Sequence, residues 1–81
     1  MSDRFEEMSM LLQRGKAKDL SAQVQAALDE GVSPKEILTE GLIKGMGIIG
    51  EKFKNNEVFV PEVLVAARAM NFALAILKPA L

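Results

Sequence analysis

Apolar side chains recur every three or four residues along nearly the whole 81-residue chain, and apolar and polar positions never alternate strictly over the length of a strand. That period is helical, and Gly and Pro divide it into four segments. The first runs from about Asp3 to Arg14, with Phe5, Met8 and Leu12 on one face. It stops at Gly15, since glycine accepts the left-handed conformation that closes a helix. The second runs from about Lys16 to Glu30, turns Leu20, Val24 and Ala27/Leu28 inward, and stops at Gly31. The third has the clearest start: Ser33 as N-cap, Pro34 at the first helical position and Glu36 where a capping box needs its acid. Its stripe is Leu38, Leu42, Gly45, Ile49 and Phe53, and Lys54-Asn55-Asn56-Glu57 breaks it with turn-forming asparagines. The fourth begins at Pro61 and carries Val63, Ala67, Met70, Leu74, Leu77 and Leu81. Four helices with short connections predict an all-α fold, an antiparallel four-helix bundle. The last stripe reaches Leu81 without a cap, which predicts a domain spanning 1–81 cut from a longer chain.

Composition narrows the function classes. With 49% hydrophobic residues, no Cys and no Trp, the chain has material for one core. At this size folding hides only about 60 to 65% of the unfolded surface, so such a domain commonly leans on a neighbour or a second copy. Ten basic against eleven acidic side chains give a charge of -1 with no basic run, which argues against nucleic acid and against a helix-turn-helix DNA binder. Lys44, Glu51, Glu62 and Arg68 interrupt the apolar stretches, so no membrane span of about 20 residues is expected. The start, Met1 to Glu7, is charged where a secretory signal needs an apolar core, and a cytoplasmic setting follows as the expectation.

Candidate chemistry is sparse. Without His or Cys there is no imidazole base, no thiolate and no nitrogen or sulfur zinc site beyond weak thioethers, so self-contained catalysis is not expected. Glu36 and Glu40, one turn apart near Lys35 and Lys44, read as a solvated helix face. Gly41, Gly45, Gly47 and Gly50 stand out more, because each costs roughly 1 kcal/mol against alanine inside a helix. Close approach of Ala66, Ala67, Ala69 and Ala73 to the Gly41/Gly45 face would account for them. So would a bare surface that lets a flat ligand or a partner backbone come near. The second anomaly is the turn after helix three, where Phe53, Val58, Phe59, Val60 and Val63 crowd one polar corner. Five large apolar side chains cannot all point inward there, so an exposed apolar patch is expected, of the kind that marks ligand or protein contacts.

These residues carry a resemblance: Gly41-Leu42-Ile43-Lys44-Gly45-Met46, Gly50-Glu51-Lys52-Phe53, Phe59-Val60-Pro61-Glu62-Val63-Leu64, Ala66-Ala67 and Ala69-Met70. The pattern resembles the N-terminal helical cap of cobalamin-dependent methyltransferases, namely the methionine synthase cap and the corrinoid proteins of methanol and methylamine systems. It is most specific over residues 36–79. The resemblance implies a non-catalytic cap that shields the upper face of methylcobalamin and swings aside before donor or acceptor enzymes reach the metal. It implies that the lower-face histidine comes from a following corrin-binding domain of the same protein, and that methyltransferase subunits are partners. Carried over by position, Phe53, Val60 and Val63 face the corrin. Val60 stands where leucine is usual, and Asn56 where glycine is usual. Cobalamin contact would then be upper-face only, with weak binding or none by the isolated chain. A different class of function, a helical protein-protein interaction module or a homodimer built on the apolar corner, fits the same patch.

Overall fold

A computed structural model describes residues 3–81. Its four helices are α1 (Arg4–Gln13), α2 (Ala17–Asp29), α3 (residues 34–54) and α4 (Val60–Leu77), the last followed by a 3₁₀ turn at Lys78–Ala80. The starts of α1 and α3 have side-chain caps. The Asp3 carboxylate accepts from the Phe5 N–H at 3.0 Å, and the Ser33 hydroxyl accepts from the Glu36 N–H at 3.4 Å with Pro34 following it. Such caps satisfy amide groups that have no partner within the helix. The first three helices also end alike. Gly15, Gly31 and Asn56 have φ of 70°, 86° and 63°. In each case the next N–H reaches back to a carbonyl in the last helical turn: Lys16 to Leu11, Val32 to Ala27 and Glu57 to Lys52. Gly15 is further constrained from α4, because a Cβ there would run into the Val65 side chain.

In the antiparallel four-helix bundle so formed, α1 lies along α3 and α2 along α4. The shared core holds Met8 and Leu12, Leu20 and Val24, Ile37, Leu42 and Ile49, and Leu77, with Ala27, Ala66, Ala69 and Ala73 filling the narrow places. The face that α4 buries is centred on Ala66, Ala69, Ala73 and Leu77. The expected stripe of Val63, Ala67, Met70 and Leu74 is only half-buried at its side, and Leu81 is exposed. Alanines win the centre because they let the α2 and α4 backbones approach.

α3 departs from a plain helix. Residues Ile37–Ile43 are π-helical between α-helical Pro34–Glu36 and Lys44–Lys54. The wider turn rotates the apolar register ahead of Leu42, so that Ile37 rather than Leu38 is fully buried. Phe53, one regular turn beyond buried Ile49, is exposed at the end of the helix. Gly41 and Gly45 face α1, not α4: a Cβ at Gly41 would stand 3.2 Å from Met8 Sδ, and one at Gly45 3.2 Å from Ser9 Cα. Glu36 and Glu40 are both exposed.

The expectation that apolar stretches fall short of a membrane span is also corrected. Residues Val60–Ala80 form 21 helical residues of mean hydropathy 1.6, long and apolar enough to cross a bilayer by length and composition. In the bundle part of that hydropathy builds core, through the face of Ala66, Ala69, Ala73 and Leu77, while Val60, Leu64, Val65 and Phe72 remain exposed.

Candidate functional site

The corner between α3 and α4 is built by a tight closure. Asn56 N–H donates to the Phe53 carbonyl at 3.1 Å and Glu57 N–H to Lys52 at 2.8 Å, which turns the chain at once toward α4. Phe59 caps α4 with an extended backbone, and its N–H donates to Glu62 Oε1 at 3.1 Å. The phenyl ring cannot return the bond, so a carboxylate near the positive end of the helix dipole holds the first turn. That turn presents Val60, and one turn on, Leu64.

The result is an apolar surface around a polar tip. Phe53 is 45% exposed, Phe59 69%, Val60 54% and Leu64 63%. Val63 is half-buried and packs against the core. On α3, Gly50 lies one turn before Phe53 and Gly47 one turn before that. A Cβ at either would meet nothing within 4 Å, so neither position is bare for the sake of packing inside the domain. Ile43, also exposed, continues the surface along α3. Such a surface can cover an apolar or flat ligand and exclude water, and it has no acid or base aimed at a reacting atom. Among the described residues no group of three His, Cys, Asp or Glu could hold a metal ion.

Of the residues singled out in the sequence, Phe53 and Val60 are exposed at this corner while Val63 sits partly beneath them. Leu64 was missed although Val60 and Leu64 have the i, i+4 spacing that puts both on one strip. Gly47 and Gly50 were grouped with Gly41 and Gly45, and only the tertiary structure separates the two pairs.

A family described as "B12 binding domain" matches residues 4–78. The chain belongs to the B12 binding domain family. Within it the chain takes the place of the N-terminal helical cap of corrinoid methyltransferase proteins. It is 51% identical over 57 residues to monomethylamine corrinoid protein 1 of Methanosarcina acetivorans, covering 70% of this chain and 26% of that protein. It is 44% identical over 62 residues to trimethylamine corrinoid protein 1 of Methanosarcina mazei, covering 75% of this chain and 29% of the other. The solved monomethylamine corrinoid protein of Methanosarcina barkeri superposes with a TM-score of 0.91 at 30% identity, over 95% of this chain and 36% of that one. The B12 binding domain described here thus spans between about a quarter and a third of the length of its relatives.

Proposed function

We propose that this domain is the lid of a methyl-carrying corrinoid protein, lying over the upper face of cobalamin and taking no catalytic part. The exposed apolar corner of Phe53, Val60 and Leu64, with Val63 beneath it, carries this reading. A macrocycle edge and a methyl group offer almost nothing to hydrogen-bond, and a surface of aromatic and branched side chains excludes water from them without leaving a polar group unpaired. The bare backbone at Gly47 and Gly50 lets a flat ligand approach α3 more closely than any side chain would allow. When bound, the corrinoid supplies the metal centre that carries the methyl group. The chain has no histidine with which to ligate cobalt from below. The lower side therefore falls to a corrin-binding domain of the same protein, and the isolated chain binds corrinoid weakly or not at all. Methyltransferase subunits are the partners that require the lid to move, in a cytoplasmic setting.

The test joins the chain to a corrin-binding domain and replaces Phe53 with Ala. Loss of the methyl group to light or solvent is expected to quicken several-fold, and an unchanged rate removes Phe53 from the lid. The exposure of Phe59 and Leu64 also favours a second reading, a homodimer through this corner. Sedimentation at several concentrations separates the two, since self-association indifferent to added cobalamin supports the dimer.

A further inference from the structure

Two clefts lie side by side along α4, around the helix from the apolar corner, and share Val65. The larger, about 660 Å³, is bordered by Met10 and Arg14 of α1, Lys52 of α3, and Pro61. The smaller, about 370 Å³, continues between α2 and α4 past Lys18, Arg68 and Phe72. Met10, Val65 and Phe72 give this trough an exposed apolar floor. Its charge is one-sided. Four of the chain's ten cations line it, against the single carboxylate of Glu62, which already accepts from Phe59 N–H. None of the four is in an ion pair among the described residues. Lys52 Nζ reaches only Gln13 Oε1, at 3.4 Å, and Arg68 stands over the Phe72 ring at 5.7 Å.

We propose that this trough docks an acidic amphipathic helix of another protein. From Pro61 to Phe72 the trough runs eleven residues, about 17 Å along the helix axis, the length of three helical turns. A partner helix with apolar residues at i, i+4, i+7 and i+11 would seat them on Met10, Val65 and Phe72. Carboxylates on its flanks would meet Arg14 and Lys52 at one end and Lys18 and Arg68 at the other. A nucleic acid backbone would match the cations but has nothing for the apolar floor, and a flat anionic bilayer does not fit a concave trough. Val65 and Phe72 stand about 100° around α4 from Val60 and Leu64. A partner reaching the corner at Val58 and Pro61 would therefore leave the strip of Val60 and Leu64 uncovered, and the proposal stands whether or not the lid reading does.

The experiment titrates a four-turn peptide, Leu at those four positions and Glu on both flanks, into the isotope-labelled full chain by NMR. Expected are shifts centred on Met10, Val65 and Phe72, and weakening as salt rises. The charge-reversed variant Arg14→Glu/Arg68→Glu should bind about tenfold more weakly or worse, while Arg14→Lys/Arg68→Lys retains binding, with circular dichroism showing both folded. The proposal is overturned by shifts centred on Phe53 and Leu64, by equal binding of the peptide with Gln in place of Glu, or by no binding at millimolar peptide. It is overturned equally if a second copy of the chain, or anionic vesicles, take the trough where the peptide does not.

Discussion

A glycine in a helix interior gives up roughly 1 kcal/mol to alanine, and the four glycines of α3 do so for two different returns. Gly41 and Gly45 admit α1, with Met8 Sδ and Ser9 Cα each 3.2 Å from where a Cβ would stand. Gly47 and Gly50 admit nothing inside the domain. Gly50→Ala is therefore expected to stabilise the fold by up to about 1 kcal/mol, read as a raised midpoint of thermal unfolding. Gly45→Ala is expected to lower the midpoint, because the Ser9 backbone cannot step aside as a flexible side chain does. Midpoints moving the same way would refute the distinction. If Gly50 also serves the lid, its alanine variant should gain stability and lose protection of the bound methyl group, a pairing that no packing role produces. The four glycines were legible in the sequence as an anomaly; their division into two pairs was not, since one-letter spacing does not say which neighbour faces a helix.

At the scale of elements, the stops and the Ser33 cap were written locally and read correctly, whereas Glu36 returns no side-chain bond to Ser33, and the contacts of Asp3 and Glu62 at the starts of α1 and α4 were not read. Asp3, Ser33 and Pro34 start helices where expected, and Gly15, Gly31 and Asn56 end them with one closure. What spacing did not reveal was the π-helical stretch Ile37–Ile43, where Thr39 Oγ1 donates to the Lys35 carbonyl at 2.9 Å. A hydroxyl bonded back to a carbonyl competes with the regular ladder, and the wider turn brings Ile37 into the core with Leu42. The first turn of α4 rests on Glu62, whose carboxylate holds the Phe59 N–H. Replacing Glu62 with Ala should cost about 1 kcal/mol, from the lost cap and the lost charge at the helix start. Amide exchange should quicken first at Phe59 and Val63, whose N–H groups are bonded within this turn. Exchange that quickens uniformly along the domain would show that Glu62 has no special hold on this turn.

The whole molecule depends on alanine at the meeting of α2 and α4, where Ala27, Ala66, Ala69 and Ala73 are fully buried. Ala69→Leu has no room there and is expected to destabilise by about 1 to 3 kcal/mol. Urea unfolding should show a lowered midpoint at an unchanged slope, the sign that stability rather than compactness has altered. By itself the sequence determined the fold class, the four helices and their ends, and the crowding of Phe53, Val60 and Val63 at one turn. These follow from period, capping chemistry and composition, all of them local. Only the tertiary structure decided which face of α4 is buried, which glycines meet α1, and that Leu64 joins the exposed corner. It also gathered Arg14, Lys18, Lys52 and Arg68 around Val65, residues spread over more than fifty positions of sequence. The physical reason is that a helix repeat leaves its rotation about the axis free to within a residue or so. Packing against neighbours settles that rotation, and with it which side chains are left facing outward.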